Sequence, residues 1–478
     1  MKRCTCPLQA ASCGYSDMFF SLLLGLAITW LPAIAVLHRI VPIGLPGRRC
    51  IIAGYGLLLG FILVTLVMRL LNLLGIPFSL MAIGVAMTLV LLLSVLIPRR
   101  VEAMPVPSEP SMSLPAKLLL SLCVVLGAAH LLFVSIEVLS TPIFSWDSKQ
   151  HWAKQAKVFL EHRALVPHVK NIEWLSLYGE GVYTNLHPDY PVTLPLIQTW
   201  VAIAMGGWHD VFVNVPWLLC LVGMALVFFG QLRAAGVGVL IASIATYMLL
   251  SLPLLNAQTS LAGYADPFMS AAFLAAFAAF ANWSRTRQGW QGLLVLACAL
   301  TCVLLKQEGT YWAIAFVPAL LVVFLGIKRG YAIIFCAIAV VILLLLFLPK
   351  NTSFAGHTIR EMHFLYRPTS WLPLLEGAFV HDNWHLLAYF AVFTVGWSIA
   401  SGDIAREGVA PALTVLLGIL FLYLTLYLFT GYSTAAVQHT SNSRLLLHFM
   451  PGWLFMSALV YAGMASTNTQ RIGDGQAH

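Results

Sequence analysis

The sequence predicts an all-α polytopic membrane protein, on three observations: 60% of residues are hydrophobic, only 9% are charged, and the mean hydropathy is +0.88. Soluble domains carry charge on about a quarter of their residues, so a soluble globular chain is excluded, and no loop is large enough for a separate soluble domain. One crossing takes roughly 20 apolar residues, and polar interruptions divide this chain into about thirteen such runs plus a short one. The net charge of +8 is spread over loop ends. It therefore reads as a topology signal rather than as the basic stripe of a nucleic-acid binder.

In order, residues 1–17 read as a tail and 18–37 as a retained helix, because the run is too long for a signal peptide and lacks a small-residue cleavage site. Arg39, Arg48 and Arg49 follow as the strongest cytoplasmic mark of the first third, which places the N-terminus outside. Helices at 51–71 and 77–97 lead to Arg99, Arg100 and a Pro/Ser-rich cytoplasmic linker, and 117–140 crosses outward. The next loop, 141–195, is then extracytoplasmic. Residues 192–205 are apolar but short; counted as a crossing, they would turn Arg233, Arg285, Arg287, Lys328 and Arg329 outward. A re-entrant or interfacial half-helix keeps those cations inside. Further helices are expected at 211–231, 237–255, 267–283, 293–305, 311–327, 331–348, 385–400, 410–430 and 445–465. On this topology the polar patches 256–266, 306–309, 350–382 and 431–444 share a side with the first loop, and their convergence is the main functional expectation.

That loop holds the longest polar interval, 144–195, opening FSWDSKQHWAKQAKVF and closing HPDYPVTLPL. Its cations, carboxylates, imidazoles and flat rings suit a sugar and a phosphate, since rings pack on apolar sugar faces and cations neutralise phosphate. Lys149, His151, Trp152, Lys154, His187, Asp189 and Tyr190 are the candidates here. Asp147 either caps a short juxtamembrane helix or acts as a general base toward an acceptor hydroxyl. Asp266, in AGYADPF, fits a helix start with Pro at the first turn, and it also stands where a bound headgroup would lie. Lys306 and Glu308, in LLKQEGTYW, either neutralise each other or hold a phosphate. Arg360 is placed on the phosphate by its charge and side. Arg444 and His448 lie one turn apart on a single helix face, where an arginine snorkels to headgroups or grips phosphate.

No cofactor is expected. His187 and Asp189 offer two ligands for a divalent metal, but spacing fixes no third and there is no DxD pair. Cys4, Cys6 and Cys13 lack a histidine at zinc-ligand spacing, and Cys123, Cys220, Cys298, Cys302 and Cys336 sit in apolar runs as small hydrophobes.

The succession WDSKQHWAKQAK, HPDYPVTLPL, GYADPF, KQEG and SNSRLLLHFMP resembles bacterial membrane proteins of the GT-C glycosyltransferase superfamily, related to protein mannosyltransferases and lipid A aminoarabinose transferases. The resemblance covers roughly 117–465 and leaves the first three helices outside. It implies a GT-C-like bundle with a large first outer loop: an N-terminal segment 1–116, a catalytic membrane domain 117–466 and a tail 467–478. It also implies transfer of a sugar from a polyprenyl-phosphate donor to a lipid, glycan or protein acceptor outside a bacterial inner membrane. Asp147 falls where that superfamily keeps the acidic residue taken as its base, and Asp266 where an Asp-Pro opens a later helix; Lys306, Arg360 and Arg444 have no secure counterpart. The chain departs from the pattern in lacking adjacent paired acids in the first loop and a large C-terminal soluble domain, which argues against metal-dependent oligosaccharyl transfer and a peptide-sequon reader. A lipid-linked-sugar transporter, or a polysaccharide ligase or polymerase, is the competing class; Arg360, His363 and Arg444 would serve a ligase. Charges gathered at one face and the absence of a visible inverted repeat favour the enzyme.

Overall fold

The computed structural model of the protein describes residues 7–99, 112–349, 351–354, 357–358, 364–405 and 408–475. The protein is 77% helical, an all-α membrane protein with two pairs of two-residue strands among the described residues. Seven helices are long and apolar enough to cross a membrane, or eight if a pair bent by 56° counts as one span. Five shorter apolar helices of 10–17 residues accompany them. Thr193–Ala204 is one of these: at 12 residues it is about 18 Å long, too short to cross, and every residue in it is buried.

Several boundaries differ from expectation. The runs expected as separate helices at 311–327 and 331–348 form Glu308–Ile314 and a single Phe316–Phe347 helix kinked at Gly326 (φ 78°), together one candidate span. The first helix is Pro7–Ile40, so most of the supposed tail is helical, and Asp17–Ile40 within it is long and apolar enough to span. The run expected as 237–255 breaks into Val239–Leu250 and Pro253–Ser260. Pro253 has no N–H to continue the ladder, and it holds Leu252 in extended backbone (φ −60°, ψ 117°). Residues 80–96 form an α-helix, Leu80–Leu93, finished by a 3₁₀ turn, Ser94–Leu96.

The helix Asp266–Thr286 is the centre of the bundle. Its Ala/Phe run is apolar all round, as a helix enclosed by others must be, and 94% of its apolar window is buried. Alanines let neighbouring helices approach closely while phenylalanines fill the space between them, as where Phe273 and Phe280 meet Phe316. Buried polar groups pin the packing. Tyr55 donates to the Ala275 carbonyl at 2.7 Å, Gln231 donates to the Tyr55 hydroxyl at 2.9 Å, and Asn282 donates to Gln231 Oε1 at 2.7 Å. These bonds join Arg48–Leu73 and Val215–Ala234 to the central helix.

The central helix also separates two ends. Asp266 opens it and Arg285 lies in its last turn, so the two are about 30 Å apart. At the Arg285 end four arginine guanidiniums donate to backbone carbonyls: Arg48 to His38 (2.9 Å), Arg233 to Val237 (2.6 Å), Arg285 to Ala235 (3.2 Å) and Arg287 to Val323 (2.9 Å). Around Asp266 lies a cavity.

Candidate functional site

The cavity measures about 680 Å³ and draws on five parts of the chain: 146–152, 187–190, 306–312, Phe364 and 422–445. The first loop with the patches at 306–309, 350–382 and 431–444 thus meets at one place, with the start of the central helix directly behind.

Local backbone sets the first wall. Residues Ser148–Trp152 form a π-helical turn, which is wider than an α-turn and often found at functional sites. It buries His151 and Trp152 and leaves Lys149 outside, over the Phe144 ring at 5.2 Å. Gly263, in left-handed backbone at φ 82°, lets the turn before Asp266 pack on that π-turn; a Cβ there would stand 2.4 Å from Ser148 Cβ. This contact brings the start of the central helix beside Asp147.

Neither aspartate caps a helix with its side chain. Asp266 is fully buried and both its oxygens are engaged. Its Oδ1 accepts from Lys306 Nζ at 3.1 Å and from His448 Nε2 at 2.9 Å; its Oδ2 accepts from Arg444 Nε at 2.9 Å. Arg444 Nη2 spans the gap, 2.7 Å from Asp266 Oδ2 and 2.5 Å from Asp147 Oδ2. Lys306 also meets Glu308 Oε1 at 3.5 Å. Burial opposes the charge on Arg444, but the Asp266 and Asp147 carboxylates outweigh it and hold the guanidinium above its ordinary pKa.

His448 is neutral by its bonding. The Trp312 indole N–H only donates, so His448 Nδ1 accepts it at 3.0 Å, and the ring proton sits on Nε2 facing Asp266. The cluster is therefore three carboxylates against two cations. One carboxylate oxygen, Glu308 Oε2, is buried without a hydrogen-bond partner among the described residues.

Aromatic rings form the opposite wall. Trp152 stacks on Tyr190 at 5.4 Å and 16°, and His187 stacks on Tyr190 at 4.9 Å and 17°. Asn185 Oδ1 accepts from both His151 Nδ1 (2.8 Å) and the His187 backbone N–H (3.0 Å), which fixes the two imidazoles together. Burial pushes the His187 pKa down, with a further push from His151. A third wall is apolar, built from Phe364, Leu422, Leu426 and Leu445.

Of the expected site residues, Asp147, His151, Trp152, His187, Tyr190, Lys306, Glu308 and Arg444 line the cavity. Asp266 and His448 lie behind it, holding Lys306 and Arg444. Three residues are not among the lining. Lys149 points elsewhere, Lys154 donates to Thr184 Oγ1 at 3.0 Å, and Asp189 supplies its carbonyl to Gln307. Arg360 and His363 lie outside the described residues. Sequence reasoning missed Tyr264, whose ring lies 4.8 Å from the Arg444 guanidinium, and Trp312, the partner of His448. Both sit within the quoted motifs, two residues before Asp266 and four after Glu308.

Fold and site together define an all-α membrane protein with a buried ionic cluster beneath an aromatic-walled cavity. No protein-family model, curated protein or solved structure matches the chain.

Proposed function

We propose that the protein is a glycosyltransferase that moves a sugar from a polyprenyl-phosphate carrier to a lipid, glycan or protein acceptor, within a GT-C-like bundle. The observation that carries this reading is the mixed lining of the cavity, which combines the Asp147–Arg444 ion pair, stacked aromatic rings and an apolar wall. A lipid-linked sugar phosphate needs each of these surfaces at once, and about 680 Å³ lies within the roughly 300–1,000 Å³ of ordinary ligand sites. Glu308 Oε2, a buried acceptor lacking a donor, suits a sugar hydroxyl.

In this mechanism the acceptor oxygen attacks the anomeric carbon from the face opposite the lipid phosphate. The carbon–oxygen bond to phosphate breaks with inversion, the acceptor proton passes to Asp147, and polyprenyl phosphate leaves with the bonding electrons. Arg444 couples the steps. Its Nε and one Nη2 contact are anchored on Asp266, and its other Nη2 contact is to Asp147. Donor phosphate drawing the guanidinium toward itself releases Asp147 to act as base. Lys306 supplies the second positive charge, and Asp266 and His448 are positioning residues. The arginines at the far end of the bundle support a cavity facing the extracytoplasmic side, since cytoplasmic ends collect Lys and Arg; a bacterial inner membrane is the setting the family resemblance implies.

The test is transfer in membrane vesicles supplied with radiolabelled polyprenyl-phosphate sugars and native lipid acceptors. Asp147→Asn, inserted at wild-type abundance, is expected to lose roughly a hundred- to ten-thousandfold in rate, the usual worth of a positioned base. Transfer at the wild-type rate overturns the base assignment. Label that crosses the membrane unchanged, equally in both proteins, makes the protein a transporter.

A further inference from the structure

A second side-chain cluster stands outside the ionic network. Glu376, His381 and His439 each present one ligand atom, and these atoms all lie within 4.8 Å of one another. The Glu376 carboxylate is 3.8 Å from His439 Nε2, and the two imidazole rings are 5.2 Å apart.

The backbone builds this grouping from two segments. Residues Glu376–Val380 form a π-turn, closed by the His381 N–H donating to the Glu376 carbonyl at 2.8 Å. One wide turn therefore brings Glu376 and His381 to the same side. His439 follows the short helix Ser433–Val437 in left-handed backbone at φ 53°, a conformation uncommon for a residue with a side chain. The segments are locked together beneath the cluster. Asn442 donates to the Pro373 carbonyl at 3.0 Å, Asn383 donates to Ser443 Oγ at 3.2 Å, and a Cβ on Gly377 would stand 2.9 Å from Asn442 Nδ2. Nearby His385 is already committed to Asp382 and to the Ser251 carbonyl.

We infer that Glu376, His381 and His439 form a binding site for a divalent transition-metal ion, zinc foremost, that clamps the 376–381 turn to the segment carrying the cavity wall. Two imidazoles and one carboxylate are a donor set suited to zinc, with bonds of about 2.0–2.2 Å and a fourth position left to water. In a tetrahedron of such bonds the ligand atoms stand about 3.4 Å apart. Half-exposed side chains reach that spacing from the present one by small rotations, with no backbone movement. The bound ion would hold the left-handed turn at His439. The residues just before it, Thr434, Ala435 and Gln438, line the cavity, so occupancy would stiffen that wall. The inference does not depend on sugar transfer.

The experiment uses the full chain in detergent, with Cys4→Ser, Cys6→Ser and Cys13→Ser in every sample so that the N-terminal thiols do not contribute. The protein is stripped with chelator, titrated with Zn2+ and analysed for metal content and thermal unfolding. One zinc per chain is expected, with a rise in unfolding temperature on binding. His381→Gln and His439→Asn should each weaken binding by at least the 10–100-fold that loss of an outer-shell partner costs, and the pair should abolish both the bound zinc and the thermal rise. Asn tolerates left-handed backbone, which protects the fold of the second variant. Should either histidine variant fail to fold, Glu376→Gln, the same shape without charge, carries the test with the same expected weakening. Failure to bind zinc, or binding unchanged in folded variants, overturns the inference.

Discussion

The two ends of the central helix use arginine in opposite ways. At the Arg285 end each guanidinium donates to a backbone carbonyl, as Arg285 does to Ala235 just past the end of Val215–Ala234, where the last turn leaves carbonyls unpaired and the helix dipole favours positive charge. Those contacts are separate and partly solvated. At the Asp266 end, Arg444 and Lys306 converge on one buried carboxylate, with Asp147 and Glu308 as their respective second partners. One end therefore tolerates the loss of a member, and the other stands as a unit.

The sharpest break of that contrast is Asp266→Ala, which leaves the buried Lys306 and the part-buried Arg444 without their main partner. Removing one side of a buried ion pair costs roughly 3–5 kcal/mol, so detergent-solubilised protein should melt far below wild type or fail to accumulate. A melting curve like that of the wild type would mean the cluster is not a unit. Next in size is a double-mutant cycle on Lys306→Met and Arg444→Met. The two share Asp266, so their effects on stability should depart from additivity by about 0.5–3 kcal/mol. Smallest is the same cycle on Arg233→Gln and Arg48→Gln at the other end. Each should cost about 1 kcal/mol or less, the worth of a cation at a helix terminus, and the two should add to within about 0.5 kcal/mol. Coupling there as strong as in the Lys306–Arg444 cycle would erase the distinction.

How much of this was legible in the sequence follows from how far each signal reaches. The membrane class and the existence of most helices come from long apolar runs, a property local to each segment. The candidate loop stood out because charged residues are rare in the apolar runs that make up most of the chain. The side-chain partners were not legible. Asp266 and Arg444 are 178 positions apart and Asp147 and Arg444 are 297 apart, and no local pattern links them. Helix-start chemistry gave a sufficient local reason for both aspartates to be caps, and tertiary ion pairs displaced that reason. The break at Pro253 was locally readable from the missing N–H, yet the apolar run around it masks the proline. The zinc-type cluster was invisible because its third ligand, His439, comes from a separate loop.

The buried short helix Thr193–Ala204 bears on where this chain can be cut. Trp200 donates to Thr29 Oγ1 at 2.7 Å and Arg69 donates to Thr193 Oγ1 at 2.9 Å. The loop above is tied down in the same way, since the Leu165 N–H donates to Asn72 Oδ1 at 2.8 Å and the Phe78 N–H to the Arg163 carbonyl at 2.7 Å. The first three helices are thus the foundation on which the first loop rests. A protein trimmed to begin at residue 117 would keep the cavity residues and lose the floor under one of its walls.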